Sequence, residues 1–236
     1  MLRDIDKIQL PTNTTDISVW RLFVQKIKEN EPVREENCAA IFSFAKAEGK
    51  RKKKSNGDTH TKKTLVDFGL LEVVNGYVYA TKLGNELLAL YDERGARIAD
   101  EIEETAVMLK IFKTWHATNL NRNIHPGEVI LKLLVDPLMD GYISDHEIAY
   151  FAANKEFKND SQYEEIRNYI LEFRRNQGMC IALTKKSKAH NFMPTFANNW
   201  NILKKISDNA IKYDAITGIF SMDKLNLHIE CGGGMK

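Results

Sequence analysis

Residues 46–88 read KAEGKRKKKSNGDTHTKKTLVDFGLLEVVNGYVYATKLGNELL. Within this stretch, two short apolar runs, residues 70–74 and 77–80, are separated by Asn75-Gly76. An Asn-Gly pair between apolar runs is the strongest short signal for a β-hairpin, because both residues of the tight turn must adopt a positive φ. The sequence therefore predicts a hairpin at this position.

A short helix is predicted directly before this hairpin, over residues 59–68, and Gly69 closes it. A second helix is predicted to begin near Thr81. Helix, glycine, hairpin and helix follow one another in winged-helix modules, which are relatives of the helix-turn-helix and place a recognition helix in the DNA major groove. We therefore expect the chain to be organised around a DNA-facing unit.

The charge of the chain is unevenly distributed. The chain carries 34 Lys and Arg residues against 32 Asp and Glu residues, a net charge of only +2, so it is not globally basic. Residues 46–63 are rich in lysine, however, and their only acidic residues are Glu48 and Asp58. Such a local basic block is compatible with a DNA-binding footprint, and the simpler alternative is a solvated loop without a partner.

The predicted recognition helix and the basic loop before it supply a first set of DNA-binding candidates. Cations of the loop suit phosphate oxygens, and polar or cationic groups on the first turns of the helix suit base edges and phosphates. The set comprises Lys50, Arg51, Lys52, Lys53, Lys54, Thr59, His60, Thr61, Lys62 and Lys63.

Two further helices are predicted upstream of the basic loop. Apolar residues from Ile17 to Ile27 recur with helical spacing on one face, and Pro32 ends that helix because the residue before a proline avoids helical geometry. A second helix is predicted over residues 33–47, with Cys38 on its inward face. These helices complete a first winged-helix-like module.

The second half of the chain is predicted to repeat this architecture without repeating the sequence. Ser144 and Glu147 have the spacing of a capping box at the start of a helix. The predicted helices span residues 126–134, 145–153, 161–176, 196–203 and 207–216, and the predicted strands span residues 181–183, 219–220 and 225–229. The equivalent DNA-binding candidates are Lys185, Lys186, Lys188, Lys204, Asn209 and Lys212.

The predicted fold class is mainly α (α+β), with two winged-helix-like subdomains joined by a helical linker. The first subdomain is expected over residues 1–91 and the second over residues 125–231, with the linker at residues 92–124 and a frayed tail at residues 232–236. The tryptophans Trp20, Trp115 and Trp200 lie among apolar helical neighbours and are expected to anchor cores.

Several classes of function are disfavoured by the sequence. The three cysteines are far apart and include no Cys-x-x-Cys pair, which indicates reduced thiols of a cytoplasmic protein. No apolar run approaches the roughly 18 residues of a membrane span, so no membrane partner is expected. The scattered histidines lack the spacing of a zinc site, and no metal site or cofactor is expected in this chain.

The sequence offers only weak signals for nuclease chemistry. The common restriction nuclease core needs an Asp followed by an acid-x-Lys tripeptide on adjacent strands, where the carboxylates hold Mg²⁺. Residues 48–50 and 156–158 match the tripeptide, but such matches arise by chance in a chain rich in acids and lysines, and neither is predicted on a strand. We therefore assign no catalytic residue.

The segments TKKTLVDFGLLE and NGYVYATKLGNELL, together with IHPGEVILKLL, ISDHEIAYF, EEIRNYILEFR and Thr217-Gly218-Ile219-Phe220, form a recognisable combination. It resembles the DNA-recognition region of type IIS restriction and nicking endonucleases of the AlwI, BstNBI and MlyI group. The resemblance extends from about Lys62 to Ile229, and its motifs are mainly structural.

The resemblance implies a two-subdomain recognition part that reads a short asymmetric site in double-stranded DNA for a restriction-modification system. In that group a separate nuclease domain, or a nuclease subunit, cuts nearby with Mg²⁺. We expect that nuclease domain to be absent from this chain, which leaves enzymatic activity of the chain itself undecided. The alternatives are a winged-helix transcription regulator or plasmid-control protein, and a winged helix that binds only proteins.

Overall fold

The computed structural model describes residues 17–41, 57–115, 126–144, 147, 163–176, 211–214 and 219–222. These residues belong to two compact units, which divide after Trp115. Each unit combines helices with a small antiparallel sheet of three strands, and the expected α+β class is confirmed.

The first unit is built around a three-stranded antiparallel sheet with helices packed against it. Its elements in chain order are α1 (Ile17–Asn30), β1 (Val33–Arg34), α2 (Gly57–Asp67), β2 (Leu71–Val74), β3 (Tyr77–Ala80), α3 (Lys82–Ala89) and α4 (Glu101–Thr114). The strand order is β1-β3-β2, so the first strand of the chain pairs with the third. In this register Val78 of β3 lies opposite Val33 on one side and Val73 on the other.

The predicted hairpin is confirmed as β2 and β3. Asn75 and Gly76 join the strands with φ values of 52° and 79°, so both residues of the turn are left-handed, as a two-residue type I′ turn requires. The helix before the hairpin and the one after it are also confirmed, as α2 and α3.

An aromatic cluster forms the core of the first unit. Phe68 follows the last residue of α2, and its ring centroid lies 4.9 Å from that of Trp20 on α1 and 5.5 Å from that of Trp115, on which it stacks. All three side chains are at most 3% exposed. Trp20 and Trp115 are therefore core anchors as predicted, whereas Trp200 lies outside the described residues.

Thr81 joins the end of α2 to the start of α3. Its hydroxyl donates to the carbonyl oxygen of Gly69 at 2.6 Å and accepts from the backbone N–H of Gly84 at 3.0 Å, which caps α3. At Gly84 an added Cβ would lie 2.3 Å from the carbonyl oxygen of Leu70, so only glycine permits this close approach of helix and strand. The orientation of α2 is thus linked to that of α3.

Two predictions for the first half of the chain are corrected. A helix was predicted over residues 33–47, but residues 33–34 form β1 and Glu35–Asn37 form a 3-10 turn, with helical backbone only at residues 38–41 of the described part. Pairing with β3 supplies the backbone hydrogen bonds that a helix would otherwise provide. Residues 92–115, predicted as part of the linker, belong to the first unit, since Trp115 packs on Phe68.

The second unit has the same strand order as the first. Its described elements are α5 (Pro126–Val135), β4 (Tyr142–Ser144), α6 (Tyr163–Arg175), β5 (Ile211–Asp214) and β6 (Ile219–Met222). The sheet runs β4-β6-β5, so again the first strand pairs with the third. The predicted capping box is confirmed, because the Glu147 carboxylate accepts from the Ser144 N–H at 2.7 Å and the Ser144 hydroxyl accepts from the Glu147 N–H at 3.2 Å.

The helix predicted over residues 207–216 is wrong at residues 211–214, which form β5. These residues pair antiparallel with β6, so that Tyr213 lies opposite Phe220. The strand predicted at residues 219–220 is confirmed and is longer than expected. Its predicted partner, residues 225–229, lies outside the described residues.

Arg174 of α6 is a central contact of the second unit. Its guanidinium donates from Nε to Glu147 Oε1 at 2.6 Å and from Nη2 to Glu147 Oε2 at 3.2 Å. It also donates to the carbonyl oxygens of Met139 and Tyr142 at 3.0 and 2.9 Å and lies over the Tyr142 ring. Burial alone would lower the pKa of Arg174, but the Glu147 carboxylate outweighs it and raises that pKa.

Replacing Arg174 with Met should destabilise the second unit by about 3 kcal/mol, because it leaves the Glu147 carboxylate buried without its cation. The Glu147 side chain is only 4% exposed, which prevents water from compensating fully. Hydrogen exchange resolved by peptide should show lost protection in residues 126–144 and 163–176 and unchanged protection in the first unit. Arg175→Met is the matched control, since Arg175 is exposed; equal effects of the two variants would refute the assignment.

Candidate nucleic-acid interface

Some residues of the first predicted DNA-binding set lie outside the described part of the chain. Those that the structure describes all lie on the helix α2. Thr59 and His60 lie in its first turn. Thr61 is only 2% exposed and faces the core, so it is not available to a duplex in this arrangement. Lys62 and Lys63 are each partly exposed, so both reach the surface of α2.

Lys62 forms an ion pair with Glu35, which lies directly after β1. The position of Glu35 is fixed by its backbone, whose N–H donates to the carbonyl oxygen of Gly76 in the hairpin turn at 2.8 Å. The side chain of Lys62 is 15% exposed and that of Glu35 is 46% exposed. The pair therefore joins the surface of α2 to the turn of the hairpin.

An open groove of about 680 Å³ lies between α2, the 3-10 turn after β1 and the turn of the hairpin. Its lining residues are Arg34, Glu35, Glu36, Cys38, Ala39, Lys62, Asn75, Gly76 and Tyr77. Arg34 is paired with Glu36, with 3.4 Å between Nη1 and Oε1, as Lys62 is paired with Glu35. The formal charges of these two pairs cancel, so the groove itself is close to neutral.

Cys38 lies at the inner side of this groove and is 3% exposed. Burial raises the pKa of the Cys38 thiol above that of a free cysteine, the positive charge of Lys62 opposes this rise, and the negative charge of Glu35 adds to it. The thiol is therefore less reactive than that of a free cysteine at neutral pH, because the thiolate is the reactive form.

The remaining predicted residues are not gathered at this groove by any described contact. Those that lie outside the described residues are Lys50, Arg51, Lys52, Lys53, Lys54, Lys185, Lys186, Lys188, Lys204 and Asn209. Lys212 was predicted on a second recognition helix, but it lies in β5, opposite Ser221 of β6. Among the described elements, the helix that precedes β5 in the chain is α6.

Sequence reasoning did not identify Glu35 as a residue of this surface. The segment was predicted to be helical, which would have made Glu35 an ordinary solvated side chain. The signal available in the sequence was the pair of neighbouring acids, Glu35 and Glu36, but only the pairing of β1 with β3 brings them to the groove beside α2.

Neither a metal-binding cluster nor a membrane-spanning helix is found in the described part of the chain. It contains no cluster of three or more His, Cys, Asp or Glu side chains that could hold a metal ion. None of its helices combines the length and apolar character needed to cross a membrane. Within the described residues, we therefore take the groove beside α2 as the candidate site.

Comparison with known proteins adds no assignment. No protein-family model matches the chain, and no curated protein matches it in sequence.

The raised pKa of Cys38 predicts how its alkylation depends on pH. In the folded chain, the rate of Cys38 alkylation should rise at a higher pH than in the chain unfolded by guanidinium, because unfolding removes the burial that disfavours the thiolate. Peptide-resolved mass spectrometry after short exposure to iodoacetamide would measure this residue separately from Cys180 and Cys231. Coincident pH profiles for the folded and unfolded chains would contradict the prediction.

Proposed function

We propose that this chain recognises double-stranded DNA in a sequence-specific manner, as the DNA-recognition part of a type IIS restriction or nicking endonuclease. In this proposal each unit is a winged-helix subdomain. The observation that carries it is the placement of α2 directly before the β2–β3 hairpin, with Lys62 and Lys63, both partly exposed, on α2.

The topology of both units supports this proposal. In the first unit, a helix, a short strand, helical residues 38–41, α2 and a hairpin follow one another, and the first strand pairs with the last. This is the order expected of a winged helix, in which the helix before the hairpin enters the major groove. The second unit has the equivalent strand order, β4-β6-β5.

The distribution of charge in the sequence supports a division of roles within the proposed interface. Phosphate contacts fix orientation and make affinity sensitive to salt, whereas base-edge contacts provide sequence selectivity. The basic residues 50–54 precede α2 in the sequence and would supply phosphate contacts. Contacts from α2 itself would come from Thr59, His60, Lys62 and Lys63. Thr61 is excluded from the proposed contacts because its side chain is buried.

Selection of bound duplexes from a random DNA pool, followed by sequencing, tests this function. Enrichment of one short asymmetric site is the expected result, and it would make a partner nuclease that requires Mg²⁺ the next object of study. Enrichment of a palindrome bound by a dimer would instead favour a transcription regulator or plasmid-control protein. Absence of duplex binding even at low salt would refute DNA recognition and favour a protein-binding module.

Replacing Lys62 and Lys63 together with Ala should weaken duplex binding. The slope of log affinity against log salt should fall by about one for each lysine that contacts a phosphate. A fluorescence titration at several salt concentrations measures both quantities.

The matched control is Lys110→Ala with Lys113→Ala, which removes the same charge from α4 of the same unit. If the two double variants bind alike, general charge and not α2 determines the affinity.

A further inference from the structure

The ammonium group of Lys62 already has an anionic partner in the free protein. Glu35 holds it from the 3-10 turn after β1, at the edge of the groove that α2 shares with the hairpin turn. The two residues are 27 positions apart in the sequence, so this pair is a product of the fold and not of local helix geometry. Lys62 is also one of the two lysines that α2 would offer to DNA in the proposed function.

We propose that the Glu35 carboxylate pairs with the Lys62 ammonium where a DNA phosphate would otherwise bind. A bound duplex must then displace Glu35 from Lys62, which lowers the affinity of the chain for any duplex. This inference rests on the proposed function, because it concerns the same α2 surface. It assigns Glu35 the role of limiting the sequence-independent part of DNA binding.

The chemistry of the pair favours such an exchange. A carboxylate and a phosphate are both anionic oxygen acceptors for a lysine ammonium, and the flexible stem of lysine lets the ammonium move between neighbouring acceptors. Glu35 remains 46% exposed, so its carboxylate can return to water when a phosphate replaces it. Lys62 lines the open groove, from which a phosphate could approach its ammonium.

The backbone geometry keeps Glu35 close to the ligand after displacement. Its N–H is bound to Gly76 of the hairpin turn, so the residue cannot move away without breaking the edge of the sheet. A displaced Glu35 carboxylate would therefore stay near the phosphate that took its place, and the two anions would repel each other. Both the lost ion pair and this repulsion reduce affinity.

Glu36 provides a matched control one residue away. It lines the same groove and carries the same charge, but its partner is Arg34, and the two side chains are 72% and 63% exposed. Glu36→Gln thus alters the net charge of the groove as Glu35→Gln does, without changing the partner of Lys62.

The test measures binding of a fluorescent duplex of mixed sequence to the full chain and to Glu35→Gln, Glu36→Gln, Lys62→Ala and the Glu35→Gln, Lys62→Ala double variant. Glu35→Gln should bind about two- to fivefold more tightly than the unmodified chain, which is the factor that a partly exposed ion pair can supply. Glu36→Gln should produce a smaller gain. In the Lys62→Ala background the gain from Glu35→Gln should largely disappear, because the two residues act as a pair.

The outcomes separate this inference from the proposed function. Duplex binding by the unmodified chain with equal gains from Glu35→Gln and Glu36→Gln would overturn the inference and leave DNA recognition standing. A gain from Glu35→Gln that persists in the Lys62→Ala background would also overturn it, since Glu35 would then act only by general repulsion. Failure of every variant to bind duplex at low salt would overturn the proposed function and the inference together. Circular dichroism and thermal unfolding verify that each variant is folded.

Discussion

The burial of Phe68 between Trp20 and Trp115 is the constraint on which the first unit depends. Phe68 follows α2 directly, so packing its ring against α1 and the end of α4 fixes where α2 ends. Large buried aromatic side chains dominate core energetics and restrict geometry, because their rings pack favourably in few arrangements. The surface that α2 presents, including Lys62 and Lys63, therefore follows from contacts made on its opposite side. Thr61 is turned inward by the same packing.

In the groove beside α2, cations are paired with acids, so the groove has little net charge. Two cations that line it, Arg34 and Lys62, are each matched by an acid from the turn after β1. A positive field for DNA would then have to come largely from other residues, and the basic run at residues 50–54 is the candidate in the sequence. In the proposed function, this basic run would supply salt-sensitive phosphate contacts, whereas α2 would supply the contacts that select the base sequence.

The two units reach one strand order by different stabilising contacts. The first unit relies on its aromatic cluster, and the second relies on Arg174, which joins α6 to Glu147 and to two backbone carbonyls near β4. Nearby, Asp136 accepts from the Tyr163 hydroxyl at 2.7 Å and from Arg167 at 3.2 Å. Burial would raise the pKa of Asp136, but these hydrogen bonds and that of the Leu138 N–H lower it overall. A similar topology without similar sequence is consistent with such different cores.

The sequence alone was enough to predict the elements that depend on residues close together in the chain. Asn75-Gly76 predicted the hairpin because both positions need positive φ, and Ser144 with Glu147 predicted a helix start because each side chain reaches the other's N–H. The tertiary structure decided the strands β1 and β5, which the sequence had suggested were helical, since each is stabilised by pairing with another strand, β1 with β3 and β5 with β6. It also decided the pairing of Glu35 with Lys62, because only the β1–β3 ladder brings a residue after the first strand to the surface of α2.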